Sequence, residues 1–212
     1  MEIYTKEQLK FCILADRMMN RGVFRFSLLN RIKHLFVPDY IMDYLTTMRK
    51  LSYFTHKKNA RLTILLRLYY LMRYHKLGIK LGFSIGYDCC GYGLVIPHYG
   101  SLGIGGKNRL GNYCVIHTLT SITSNGKIIG DGLYLSKGSI ITSPITLGNN
   151  VSIGANSVVN KSFPEDNIMI AGAPAKVIKP SQPWYVRDGQ MYSDRVKKIE
   201  ELKSQLLYGN KS

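Results

Sequence analysis

The chain has 212 residues, 45% of them hydrophobic, enough for one sizeable core with a smaller accessory region. Its 29 Lys and Arg against 13 Asp and Glu give a formal net charge of +16, a balance that suits anionic partners such as a membrane face or a phosphorylated substrate. Nucleic acid is not expected, because the sequence has no zinc-finger spacing, no RNP-like run and no short Lys/Arg-rich tract, and no apolar run reaches the ~18 residues of a spanning helix.

The charge is concentrated at the front. Residues 1–83 carry 16 basic residues against 5 acidic ones, an excess of +11. MEIYTKEQLK lacks the basic-then-apolar pattern of a signal peptide, so a cytoplasmic protein is expected. Residues 1–80 read as a helical region with interleaved aromatic and basic residues. Val37-Pro38-Asp39 interrupts it, with Asp39 placed to cap the next helix. Arg61–Lys76 predicts an amphipathic helix with Leu62, Leu65, Leu66, Tyr69 and Met72 on one face. That face suits packing on the rest of the fold or on a neighbouring subunit, or peripheral contact with an anionic membrane surface. The four cysteines, Cys12, Cys89, Cys90 and Cys114, have no metal-ligand spacing. They read as buried, reduced thiols, and no metal is expected.

Residues 81–180 carry an internal repeat. An aliphatic residue recurs every six positions at Ile104, Leu110, Ile116 and Ile122, then after a one-residue slip at TSNG resumes at Ile129, Leu135, Ile141, Leu147, Ile153 and Val159. Glycine directly follows five of them, at 105, 111, 130, 148 and 154. Helices need a spacing near 3.6 and simple amphipathic strands a spacing of 2, so neither explains it. Hexads stack as a parallel β-helix, three short strands per 18-residue coil, with the aliphatic pointing inward. The span predicts roughly five coils, and the slip at Ser124–Lys127 predicts a small loop at one corner. Residues 181–212 read as a tail, with charges at helical spacing from Ser193 to Leu207 that suggest an exposed or interchain helix.

The hexad run, the IPHYG stretch around His98 and the closing VSIGANSVVNKSFPEDNIMIAGAPAKVIK together resemble the hexapeptide-repeat acyltransferases. The nearest branch is the serine acetyltransferase-like enzymes of capsule and exopolysaccharide pathways. The resemblance covers about residues 80–180. It implies a mainly β fold, a left-handed parallel β-helix with an α-helical N-terminal region, assembled as a homotrimer. It also implies acetyl-CoA in the groove between subunits and transfer of its acetyl group to a hydroxyl.

By the same resemblance His98 matches the family's general base. An imidazole near its ordinary pKa can take the proton of an alcohol as that alcohol attacks a thioester, and such a base typically contributes ~10²–10⁴-fold. Its oxyanion donor would be a backbone N–H among Gly100 to Gly106. His117 follows one coil plus one residue later, as a substrate or cofactor contact or a second base. Gly154 and Ala155 match the positions that contact CoA, Asn160 and Lys161 a Thr-Lys pair of the sugar acetyltransferases, and Lys176 the basic residue after their G-x-P-x.

The chain departs from the serine enzymes at three points. Phe83 stands where an acid should orient the histidine, with Asp88 the nearest carboxylate but at the wrong spacing. Pro97 replaces the acid before the histidine, and the DRHP-type loop is absent. A sugar or glycan acceptor is therefore expected; serine O-acetylation and a non-catalytic trimeric scaffold are the alternatives.

Overall fold

A computed structural model describes residues 1–57 and 61–209, with the side chains of Asn30 and Arg31 left aside. Four helices lead: α1 (Lys6–Arg21), α2 (Leu28–Phe36), α3 (Tyr40–His56) and α4 (Arg61–Leu81). Thr5 and Gln8 form a capping box at the start of α1, and Asp39 caps α3 by accepting from the Met42 N–H at 3.2 Å.

Thirteen short strands follow among the described residues. β1 (Phe83–Ile85), β2 (Leu102–Ile104), β5 (Thr120–Ile122), β8 (Ile140–Ile141) and β11 (Val158–Val159) stack as one parallel sheet. β3 (Arg109–Leu110), β6 (Ile128–Ile129) and β9 (Thr146–Leu147) make the second. β4 (Val115–Ile116), β7 (Tyr134–Leu135), β10 (Ser152–Ile153) and β12 (Ile168–Gly172) make the third, closed by an antiparallel hairpin to β13 (Ala175–Pro180). The register advances by one coil at a time, Leu102 lying on Thr120 and Ile128 on Thr146. Five coils of a parallel β-helix result, as the hexads predict.

All ten hexad aliphatics are 6% exposed or less, so the repeat is the interior of the prism. Each fully buried aliphatic contributes about 1.5–3 kcal/mol relative to remaining exposed. The slip forms the expected corner loop, and Lys127 within it folds inward. Its Nζ donates to Thr123 O at 2.8 Å and Thr142 O at 3.3 Å, so the insertion is pinned across neighbouring coils.

The open end of the first coil is covered by α3 and α4. Tyr44 stacks on Tyr74 at 4.9 Å and meets Phe83 edge-on at 5.3 Å. Arg49, on α3, ties three elements together: it donates to Asp16 of α1 and to the carbonyls of Cys90 and Gly91 at the first coil. The four cysteines are buried and unbridged.

Of the alternatives for the Leu62–Met72 face of α4, packing on the rest of this fold is corrected, and so is the expectation of an exposed or interchain tail. The face of α4 carrying Leu62, Leu65, Tyr69 and Met72 points to solvent, while the opposite face, with Tyr70, Tyr74, Leu77 and Leu81, packs on the core. The helix is apolar on nearly all sides, so its pattern cannot say which side is inward. The tail is neither exposed nor free: α5 (Trp184–Arg187) and α6 (Gln190–Lys203), continued by a π-helical turn (Ser204–Tyr208), pack on α1 and the third sheet. Ile199 is fully buried, and Trp184 donates its indole N–H to Tyr113 O at 2.7 Å. Tyr92 and Tyr113, which face outward from the coils, supply the aromatic surface that draws this segment in. The first and second sheets keep open outer faces, with Ile128 61% and Ile140 36% exposed.

Candidate functional site

Three corners run along the prism, and the one between the third and first sheets gathers most of the singled-out residues. The chain leaves the third sheet after Ile96, turns through Pro97-His98-Tyr99-Gly100 and enters β2. One coil on, it turns through His117-Thr118-Leu119 before β5. Successive corners are bonded: Leu119 N donates to Ser101 O at 2.6 Å, Gly138 N to Thr118 O at 3.3 Å and Asn156 N to Lys137 O at 3.0 Å. His98, His117, Lys137 and Ala155 therefore occupy one column.

Each turn in this column needs a left-handed residue, and Leu119 supplies it with φ 60° where Gly138 and Asn156 do so further along. A branched side chain pays for that conformation, a strain found preferentially where function holds the backbone. Tyr99 and Leu119, in the same two turns as His98 and His117, are 76% and 57% exposed.

His98 is exposed at its corner. His117 is half-buried, its ring 5.1 Å from that of Tyr134, and its Nε2 is buried without a hydrogen-bond partner among the described residues. Burial first, then the nearby His98, hold His117 below the usual imidazole range, while Asp188 opposes them. The neutral form thus prevails near pH 7, with a ring nitrogen that no side chain among the described residues satisfies. Asp188 belongs to the docked C-terminal segment: Arg187 donates to it at 2.7 Å, to Ser152 Oγ at 3.0 Å, and lies over the Tyr134 ring at 4.7 Å. Burial and Asp188 push the Tyr134 phenol up, so it stays protonated and able to donate.

Tyr134, Arg187 and Asp188 were not evident from spacing. The sequence signal available for them is Pro183-Trp184-Tyr185, the chain's one tryptophan set in an aromatic run just ahead of the pair.

Phe83, at the position where an acid would orient the histidine, and Asp88, the nearest carboxylate, are both engaged away from His98. Phe83 is buried against Tyr44, and Asp88 holds Nε2 of His56 at 2.8 Å on α3. Two of the expected oxyanion donors are also engaged: Gly100 N donates to Leu81 O and Gly105 N to Ile122 O, each at 2.9 Å. The glycines instead open the first sheet's outer face, where Gly103, Gly105 and Gly106 with Ser84, Ser121 and Ser124 line a shallow groove of about 390 Å³.

Gly154 and Ala155 turn the same column further on. A Cβ at Gly154 would lie 2.8 Å from that of Ala171, which is why the position is bare. Ala171 pairs with Lys176 across the closing hairpin, so Lys176 stands exposed two strands from Gly154. Asn160 and Lys161 lie beyond β11 at the next corner, with Lys161 Nζ over the Phe163 ring at 5.3 Å. The structure thus groups Gly154, Ala155 and Lys176 and sets Asn160 and Lys161 apart from them.

This fold has known counterparts. The chain superposes on serine acetyltransferase from Neisseria gonorrhoeae with a TM-score of 0.62, 22% identity, and coverage of 84% of this chain and 69% of that one. Soybean serine acetyltransferase complexed with serine gives 0.60 at 20% identity, covering 80% of this chain and 69% of that one. A serine acetyltransferase complex with CoA gives 0.54 at 16%, covering 80% and 68%. At these identities the likeness is one of fold.

Among curated sequences, the WbbJ protein of Escherichia coli K12, whose name describes a lipopolysaccharide biosynthesis O-acetyl transferase, is 41% identical over 61 residues. The match covers 29% of this chain and 31% of that protein. The bifunctional protein GlmU of Bifidobacterium longum subsp. infantis is 29% identical over 82 residues, 37% of this chain and 18% of that protein. The matched stretches thus span less than a third of these relatives. No protein-family model matches the chain.

Proposed function

We propose that the protein is an acetyl-CoA-dependent O-acetyltransferase acting on a hydroxyl of a sugar or glycan, with His98 as general base. The observation that supports it most is the single corner column bearing His98, His117, Gly154 and Ala155. It places an exposed imidazole on the same ridge as a small-residue turn beside Lys176. The flat turn at Gly154 and Ala155 suits a pantetheine arm, and Lys176 suits a CoA phosphate as a point charge.

In this reading His98 takes the proton of the acceptor hydroxyl as its oxygen attacks the thioester carbon. The tetrahedral intermediate then expels CoA thiolate by breaking the C–S bond, and the imidazolium returns the proton to sulfur. His117 and Tyr134 bind the acceptor: the unsatisfied imidazole nitrogen accepts from a second hydroxyl and the phenol donates to a third. A polyol rewards such a set, because a site built around hydroxyls leaves buried polar groups unpaired when they are missing.

The protein works in the cytoplasm as a homotrimer, joined through the open faces that expose Ile128 and Ile140. Its basic N-terminal region makes peripheral contact with the membrane, where a lipid-linked acceptor would be met.

Serine is the second reading, supported by the likeness in fold to serine acetyltransferases. The deciding experiment is CoA-thiol release from acetyl-CoA with L-serine and with a panel of sugars and glycans. Release with a sugar or glycan and not with serine is expected; serine-dependent release would replace the glycan reading. No release with any acceptor, together with no acetyl-CoA binding, would favour the scaffold.

A further inference from the structure

The short helix α2 presents its whole apolar stripe to solvent. Leu28, Leu29, Ile32, Leu35 and Phe36 fall at the i, i+1, i+4, i+7, i+8 spacing of one face, and each is between 48% and 80% exposed. The outward face of α4 adds Leu65, Met72 and Ile79, 58% to 84% exposed, with Lys76 and Lys80 among them. The two helices meet at Asp43 of α3, which lies 4.0 Å from His34 of α2 and 3.9 Å from Arg73 of α4. Exposed apolar area on this scale marks a surface that something covers.

Charge selects what covers it. Residues 21–38 and 61–81 contain no Asp or Glu, yet they hold Arg25, Lys33, Arg61, Arg67, Lys76 and Lys80. A second copy laid face to face would bring cation against cation. Residues 84–180 and 181–212 are also net basic, so another part of a neighbouring copy offers little complement. Between α3 and α4 lies a cavity of about 410 Å³, lined by Arg73, Lys76 and Lys80 beside Tyr40 and Met72. Its one acid, Asp43, is taken up by Arg73. Cations around an apolar-floored hollow, next to an exposed apolar helix, match an anionic phosphate headgroup with its acyl chains alongside.

We infer that α2 and the outer face of α4 form one docking surface for an anionic phospholipid bilayer, α2 lying in the interface plane and the α3–α4 cavity receiving a lipid phosphate. This names the elements behind the membrane contact proposed above and rests on no step of acyl transfer, so it can fail while that chemistry stands.

The test is sedimentation of the full-length chain with vesicles of phosphatidylcholine, and of phosphatidylcholine mixed with phosphatidylglycerol, at low and high salt. Binding to the mixed vesicles alone, with release by salt, is expected. Leu35→Ser with Phe36→Ser should weaken the partition about tenfold or more, and Lys76→Gln with Lys80→Gln on the order of 20-fold. All four side chains are exposed, so both variants should keep the wild-type circular dichroism and melting midpoint. Equal binding to neutral vesicles, or none to either, would overturn the inference. So would a Leu35→Ser, Phe36→Ser variant that sediments like wild type while its oligomeric mass falls, since the stripe would then be a subunit contact.

Discussion

The imidazole of His117 lies 5.1 Å from the ring of Tyr134, one coil further along the third sheet, and its Nε2 is buried with no partner among the described residues. Its pKa, held down by burial and by His98, links acidity to stability. Because the folded state disfavours the protonated ring, the unfolded chain binds that proton more readily. Stability should be unaffected by this group well above pH 6.5, then fall as the pH drops through the unfolded value toward the lower folded one. His117→Asn should remove that part of the slope while raising the acceptor KM more than it lowers kcat. Denaturant unfolding across this range, compared with wild type, checks the first point; an unchanged slope would contradict it.

The buried pair of Asp16 and Arg49 is the main polar link between α1, α3 and the first coil. Arg49 donates to Asp16 at 2.8 and 3.1 Å and is held in its charged form by it, while Asp16 also accepts from Leu94 N at 3.0 Å. Arg49→Met strands a buried carboxylate and should cost about 3–5 kcal/mol. Arg49→Met combined with Asp16→Leu should recover much of that loss, because no uncompensated charge remains. Unfolding free energies of the two single variants and the double variant test it; additive losses would show that the pair matters through packing alone.

Within the prism, position decides the cost of losing an aliphatic. Leu135 is fully buried, and Leu135→Ala should destabilise by about 2–5 kcal/mol. Ile140, on the following strand β8 of the first sheet, points outward and is 36% exposed. Ile140→Ser should therefore leave the subunit's own fold nearly intact and instead reduce the oligomeric mass, if the open faces join subunits as proposed. Chemical denaturation and sedimentation equilibrium on the two variants separate these effects.

Cys12 and Cys114 should be silent in the native protein. Burial pushes Cys12 up to about 11 and raises Cys114 further, so neither holds an appreciable thiolate fraction near neutrality. Titration with a thiol reagent at pH 7.5 should find these two unreactive until denaturant is added. Prompt reaction of either would contradict the packing of α1 and of the second coil.

What the sequence made legible follows from geometry. Inside a narrow prism each coil repeats the last, so Ile104 to Val159 had to be aliphatic at a fixed period, and even the one-residue slip marked a corner loop, though not that Lys127 folds inward there. The side on which α4 packs was not legible, because Leu65 and Met72 on the outside are as apolar as Leu77 and Leu81 within. Nor was the docking of the C-terminal segment. Trp184 reaches Tyr113 O across 71 residues of chain, a contact with no local period. The same gap hid Arg187 and Asp188 from the reading of the site, while His98 and Ala155 stood out through short motifs. Asp88 was weighed as a partner for His98 because it is close in sequence; the β-helix places it at a different corner, where His56 holds it.

The central claim is that acyl transfer takes place at the corner carrying His98. It is tested most directly by turnover of His98→Ala with acetyl-CoA and the acceptor that supports wild-type release, in protein shown to keep its fold and its CoA affinity. The account predicts a loss of about 10²–10⁴-fold in kcat, with acetyl-CoA still bound. Turnover within a fewfold of wild type would place the chemistry elsewhere on the molecule and contradict it.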